Sequence, residues 1–324
     1  MAVNILKEKY TSKINTVTLG ATKEEGGTRT STVQVGGDAS MPYLHFEGEI
    51  PLKPVVALEI QDIYPEGWNE ALKKAYGDAM KNPVDWAKKA VEFGADLIYL
   101  KLNGADPDLP DSKTPEQCAQ VVKDVLAAVG VPLIVVGCGD QDKNNAVMPV
   151  VAEAAAGENL LIGSAIQDNY KTITAAAMVN KHKLLALSPL DINICKQLNI
   201  LIGEMGLPAE NVIIDPSSAA LGYGIEYTYS ILERGRAGAL QGDKMLSQPV
   251  LCQLGYEAWR AKEAIASEED LPGWGNQVER AILWEATTAA GLSQGGANIM
   301  IMRHPESLRL YKKNAEALMT VTEI

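Results

Sequence analysis

Residues 82–102 read NPVDWAKKAVEFGADLIYLKL. Asn82 is a helix N-cap residue, and Pro83 suits the first helical position because its missing N–H would have no partner there. Val84, Ala87 and Val91 then fall on one helical face. Residues 95–102, ADLIYLKL, follow as a short apolar run of strand length. Strand and helix in alternation are the repeating pattern of an α/β protein.

The unit recurs on both sides. Further apolar runs are VVALEI (55–60), PLIVVGC (132–138), NLLIGSAI (159–166), KLLALSPL (183–190), NVIID (211–215), VLCQL (250–254) and ANIMIM (297–302). With 95–102 they make eight strands. Their near-continuous hydrophobicity predicts burial on both faces, as parallel strands covered by helices require. Intervening helices show apolar stripes at Val121, Val125 and Val129 and at Val278, Ile282 and Ala289. Thr114-Pro115 with Gln117 reads as a capping box, and His304-Pro305 opens the last helix in the same manner as Asn82-Pro83. Eight such units over about 250 residues predict a (β/α)₈ TIM barrel over 55–324 rather than an open doubly wound sheet.

Residues 1–54 differ. INTVTLG and TSTVQVGG flank the polar turn ATKEEGGTR, which predicts an antiparallel β-hairpin extension closing the barrel bottom or forming a contact surface. The segments ADPDLPDSKTP and SEEDLPGWGNQ (267–277) are expected as exposed loops. Trp274 in the second is either an anchor to the barrel or a partner contact.

Composition narrows the function. The 324 residues are 47% hydrophobic, enough for a substantial core, and carry 29 basic against 41 acidic residues, a formal net charge of -12. That balance disfavours a phosphate-backbone partner, so no nucleic acid is expected. Cys118, Cys138, Cys195 and Cys252 are far apart and without a CxxC pair, which fits a reducing cytoplasm and neither a disulfide framework nor a zinc or cluster motif. No apolar stretch approaches the roughly 18 to 20 residues of a membrane helix, and the N-terminus lacks a signal core. The expectation is a cytoplasmic protein without a membrane partner. His45, His182 and His304 are too dispersed for a metal triad, and HExxH is absent.

Barrel sites collect where the strands end. Those ends are Gln61-Asp62, Lys101-Asn103, Gly137-Asp140, Ser164-Gln167, Ser188-Asp191, Asp215-Ser218, Gln253-Gly255 and Arg303-His304, a polar and mostly small set. Asp215 reads either as a general base or as a cap for the following turn. Ser217 and Ser218 lack a GxSxG elbow and a nearby histidine. Gly222 and Gly224 form the turn that opens the next helix rather than a phosphate loop. Cys138, between two glycines, reads as packing.

The stretches ALEIQDIYPEGWNEALKKAYGD, ADLIYLKLNGADPD, IGSAIQDNYKTITAAA and IDPSSAALGYGIEYTYSILERGRAGALQGDKMLSQPVLCQLGYEAWRAKEA resemble the small (beta) subunit of the corrinoid/iron–sulfur protein. They are also similar to the delta subunit of archaeal acetyl-CoA decarbonylase/synthase. The resemblance covers nearly the whole chain. It implies a TIM barrel that pairs with a large subunit carrying an iron–sulfur cluster and a corrinoid (cobamide). It also implies methyl transfer in the reductive acetyl-CoA (Wood–Ljungdahl) pathway, from methyltetrahydrofolate methyltransferase to carbon monoxide dehydrogenase/acetyl-CoA synthase. This chain has neither a four-cysteine motif nor D-x-H-x-x-G, so the cluster and the main corrinoid site fall to the partner. Strand-end position then assigns the corrinoid-facing residues as Asn103, Gly139, Ser164, Gln167, Ser188, Asp215, Ser217, Ser218, Leu221 and Gly222, with none catalytic and none a metal ligand. Small side chains there suggest a snug, water-poor cover. The alternative is a stand-alone barrel enzyme, a pterin-dependent methyltransferase or a lyase, using Asp215, Asn103 and Lys101.

Overall fold

The computed structural model describes residues 6–320. Its strands are β1 (Thr16–Leu19), β2 (Val33–Gly36), β3 (Val55–Gln61), β4 (Leu97–Lys101), β5 (Leu133–Val136), β6 (Leu161–Ala165), β7 (Lys183–Leu187), β8 (Val212–Asp215), β9 (Leu251–Cys252) and β10 (Ile299–Met302). The α-helices are α1 (Glu70–Tyr76), α2 (Pro83–Glu92), α3 (Pro115–Ala128), α4 (Gln141–Ala154), α5 (Tyr170–Asn180), α6 (Ile192–Glu204), α7 (Ile225–Leu240), α8 (Leu254–Ala258), α9 (Lys262–Ile265), α10 (Gln277–Gly295) and α11 (Pro305–Met319). All eight expected barrel strands are present and parallel, in the order β8-β7-β6-β5-β4-β3-β10-β9. A parallel bridge between Ile214 and Val250 joins β8 to β9 and closes the ring.

Each barrel strand buries both faces, and its period of two sorts the side chains. Val56, Leu58, Ile60, Ile98 and Leu100 point outward into the layer shared with the helices. Val55, Ala57, Leu97, Tyr99, Ile134, Ile213, Leu251 and Ile299 fill the barrel interior. Val17, Leu19 and Val35 from the antiparallel β1–β2 hairpin belong to that same interior cluster. The hairpin therefore plugs the bottom of the barrel. Arg29, from its turn, fastens it there: the buried guanidinium pairs with Glu158 at 2.8 Å and donates to the carbonyls of Val129 and Leu126.

The helix-start chemistry holds. Asn82 Oδ1 accepts from the Val84 amide, His304 Nδ1 accepts from the Glu306 amide, and Thr114 and Gln117 complete a reciprocal capping box. Thr114→Ala removes one side of that box at an exposed position, so urea denaturation should show a loss of about 1 kcal/mol. An unchanged midpoint would mean that the Gln117 side of the box suffices. The expected stripe on α10 is corrected: Val278 is exposed, and the buried face runs through Ala281, Glu285, Thr288, Ala289 and Leu292. Two of these are polar, which is why a hydrophobic pattern misplaces the face.

Candidate functional site

The inward residues change character at the C-terminal ends of the strands. Going up each strand by twos, Val55 and Ala57 give way to Glu59 and Gln61, Leu97 and Tyr99 to Lys101, Ile213 to Asp215, Leu251 to Gln253, and Ile299 and Ile301 to Arg303. The apolar plug ends there, and a chamber of about 330 Å³ opens, lined by Glu59, Tyr99, Lys101, Leu187, Asp215, Ser217, Ser218, Gln253, Tyr256, Glu257 and Arg303. A larger groove of about 450 Å³ lies beside the hairpin turn. At that end of a barrel such features serve stability, and the Arg29–Glu158 pair there is already satisfied.

Two carboxylates in the chamber have opposite surroundings. Glu59 is clasped by Arg303, Nε to Oε2 at 2.7 Å and Nη2 to Oε1 at 2.9 Å. Burial raises its pKa, but the guanidinium, Lys101 and the Gln61 amide together outweigh burial and hold the carboxyl below its usual range. Asp215 has no such partner. Gln253 Nε2 donates to its Oδ2 at 2.5 Å and the Ser217 amide to its Oδ1 at 3.0 Å. Burial dominates these bonds and pushes the Asp215 pKa up to about 6. Tyr99 O–H donates to Gln253 Oε1 at 2.6 Å, so hydroxyl, amide and carboxyl form a chain across the floor.

Arg303 is held by more than Glu59. Its guanidinium lies 4.4 Å from the Trp68 ring centroid and 5.2 Å from that of Tyr256. Glu285 of α10 accepts from the Arg303 and His304 amides, fixing the end of β10. His304 stacks on Trp259 at 5.7 Å, caps α11, and is driven to a pKa of about 4 by burial. Its Nδ1 is occupied by the cap, and His182 uses both ring nitrogens on backbone groups.

The loop after Asp215 is pinned at every turn. Ser217 has φ of 62°, a left-handed value uncommon for a residue with a side chain, and its hydroxyl donates to the Ser188 carbonyl at 2.7 Å. The Ala219 amide donates to Thr228, and the Leu221 amide and carbonyl bond Thr288 and the Trp284 indole of α10. Gly224, at φ of 100°, then opens α7.

The residues singled out from the sequence separate accordingly. Asp215, Ser217 and Ser218 line the chamber. Asn103 joins its network by donating to Gln61, which donates to Glu59. Ser188 lies buried beneath Ser217. Gly139 and Gln167 sit on the loops after β5 and β6 and Ser164 near the end of β6, and none of the three lines the chamber, while Leu221 and Gly222 pack toward α10, a Cβ on Gly222 lying 3.5 Å from Trp284. Asp62 is bound into the fold, accepting from the Gly104 amide and pairing with Lys113 at 2.9 Å. Glu59, Tyr99 and Tyr256 are chamber residues that strand-end position does not reveal.

The cysteines are all buried, and desolvation raises the pKa of Cys118 and Cys195 to about 11 and raises that of Cys138 as well. The native chain should therefore show no fast-reacting thiol toward Ellman's reagent at pH 8 and four after denaturation. A fast-reacting native thiol would contradict the packing reading of Cys138. Among the described residues no group of three or more His, Cys, Asp or Glu is arranged to hold a metal ion, and no helix is long and apolar enough to cross a membrane.

A closed (β/α)₈ barrel with a plugged bottom and a polar chamber at its mouth defines the class: a TIM-barrel protein with a site at the strand ends. Solved structures agree on the fold. Dihydropteroate synthase from Coxiella burnetii superposes with a TM-score of 0.58 at 12% identity, over 94% of this chain and all of that one. The Xanthomonas albilineans enzyme gives 0.57 at 16% identity, over 85% and 97%. The particular family comes from sequence. The family described as CO dehydrogenase/acetyl-CoA synthase delta subunit matches residues 16–318, and this chain belongs to it. The delta subunit of the acetyl-CoA decarbonylase/synthase complex of Archaeoglobus fulgidus is 38% identical over 95% of this chain and 69% of its own length. That of Methanocaldococcus jannaschii is 36% identical over 97% and 76%.

Proposed function

We propose that this chain is the small subunit of a corrinoid/iron–sulfur methyl carrier and that its barrel mouth covers the corrinoid held by a larger partner subunit. Family membership supports a place in an acetyl-CoA-forming or acetyl-CoA-cleaving complex. The observation that carries the reading is the open mouth chamber, which holds bonding capacity that the chain itself does not use. Ser218 Oγ is buried without a hydrogen-bond partner, and Lys101 forms no ion pair among the described residues. An amphipathic ring with polar arms fits such a mouth.

When bound, the corrinoid supplies the cobalt that accepts and donates the methyl group. The residues of this chain bind and orient. Tyr256 offers an aromatic lip, Arg303 is pre-set by Glu59, and the Ser217–Ser218 lip lets a ring approach the backbone. The chamber has a volume of about 330 Å³ and charged groups line it, so a ring seated over the mouth would displace water from a polar floor. Methyltetrahydrofolate methyltransferase and carbon monoxide dehydrogenase/acetyl-CoA synthase are the expected donor and acceptor partners, with the iron–sulfur cluster on the large subunit and the assembly in the cytoplasm.

Anaerobic affinity capture of this chain from its native lysate tests the reading. A larger partner in stoichiometric amount with visible corrinoid absorption is expected, and a solitary colourless chain overturns it. The raised Asp215 pKa favours one rival, a stand-alone barrel enzyme. That rival requires turnover of a methylated pterin by the isolated chain.

A further inference from the structure

The chamber is chemically two-sided. On one side Arg303 engages Glu59 through Nε and Nη2, while Nη1 has no hydrogen-bond partner among the described residues. Lys101 stands beside it, its Nζ 5.9 Å from the Tyr256 ring centroid. On the other side Asp215 is buried, accepts from Gln253 and Ser217, and has no cation acting on it. Ser218 Oγ adds a buried hydroxyl with its bonding unmet.

A guest that satisfies both sides presents a carbonyl acceptor and an N–H donor, and the smallest group that carries both is a primary carboxamide. A carboxylate meets the cationic side and then sets negative charge against Asp215. An alkyl group leaves buried donors and acceptors unpaired, at a cost larger than the bonds themselves are worth.

We infer that the chamber receives primary carboxamide arms of the tetrapyrrole and thereby selects amidated rings over rings whose arms are carboxylates. The inference rests on the corrinoid reading above. The arm's carbonyl faces Arg303 Nη1 and Lys101 Nζ, and its NH₂ faces Asp215 and Ser218. Rejection of the acid form comes from Asp215, a repulsive element of the kind specificity requires.

The test uses the corrinoid-free complex of this chain with its partner subunit at pH 8, where Asp215 is ionised. Dicyanocobinamide, with amide arms, and dicyanocobyrinic acid, with carboxylate arms, are titrated by visible absorption and equilibrium dialysis. Cobinamide should bind at least roughly tenfold tighter. Lys101→Met should weaken cobinamide roughly tenfold with assembly by gel filtration unchanged. Asp215→Asn, which can donate to a carboxylate, should bring the two rings to similar affinity. Equal binding by the wild type, or a ratio untouched by Asp215→Asn, overturns the inference while leaving the corrinoid reading intact. Failure of the complex to bind either ring overturns both. Should Asp215→Asn not assemble, wild-type titrations below pH 6 serve in its place, since protonation of Asp215 should narrow the ratio and a constant ratio sinks the proposal.

Discussion

Arg303→Met is expected to destabilise the chain by about 3 to 5 kcal/mol at pH 7.5, because it leaves Glu59 buried and charged without its ion-pair partner, with only the Gln61 amide still bonded to it. The side chains are 7% and 5% exposed and joined by two hydrogen bonds, so little water is available to replace the guanidinium. The backbone anchors at this point do not depend on the side chain: Glu285 holds the Arg303 and His304 amides, and Tyr76 O–H donates to the Arg303 carbonyl at 2.7 Å. Methionine fills the slot between Trp68 and Tyr256 without charge. Adding Glu59→Gln to Arg303→Met should recover part of the loss, since a neutral amide tolerates burial that a carboxylate does not.

The pH dependence separates this cause from simple loss of packing. In the wild type the folded pKa of Glu59 is depressed, so its contribution is present above the unfolded value near 4.5 and is lost as pH falls through the folded value. In Arg303→Met the desolvation, the largest influence, is opposed only by Lys101 and the Gln61 amide, so the sign should reverse and the variant should lose less, relative to wild type, at pH 5 than at pH 7.5. Urea denaturation at both pH values measures it. A deficit that stays constant would assign the loss to packing around Trp68 and Tyr256 instead.

That buried pair also shows what was legible in the sequence and what was not. The eight strands, the helix caps and the hairpin could be read because each depends on local chemistry: apolar runs, Asn82 or Thr114 before proline, and a polar turn between alternating segments. The chamber depends on strand parity. Glu59 lies two residues before the end of β3 and Tyr99 inside β4, so choosing residues by strand end passes over both. Continuous hydrophobicity hides which face of a parallel strand looks inward, and only the switch from Ala57 to Glu59, or from Ile213 to Asp215, reveals it. The same end-of-strand choice selected Gly139, Ser164 and Gln167, none of which lines the chamber. Leu221 and Gly222 belong to a motif whose tight spacing serves its attachment to α10, through Thr288 and Trp284, rather than the chamber wall. Glu285 and Thr288 could not be found by any apolar pattern, since their burial follows from the backbone amides and loop groups they satisfy.

Asp215→Asn should stabilise the chain at pH 8 and cease to do so near pH 4. The carboxyl is fully buried and its folded pKa, about 6, lies above the ordinary 3.8. A carboxyl raised in this way favours the folded state below the unfolded pKa and loses that advantage as pH rises through the folded one. The interval from about 3.8 to 6 is therefore where the wild type weakens, by about 3 kcal/mol in total. Asparagine escapes this loss provided its amide is satisfied. Its Oδ1 can keep the Ser217 amide, and rotation of the Gln253 amide by half a turn presents Oε1 to the new NH₂ and Nε2 to the Tyr99 oxygen, reversing the chain and leaving the Tyr99 O–H to donate into the chamber. Thermal or urea unfolding of both proteins at intervals from pH 4 to 8 should give a difference that grows with pH and levels off above about pH 7. A difference independent of pH would show that Asp215 does not titrate in this interval. The structural gain from Asp215→Asn, set against the loss of ring discrimination expected of the same variant, would mark Asp215 as a residue kept for what it binds at the cost of stability.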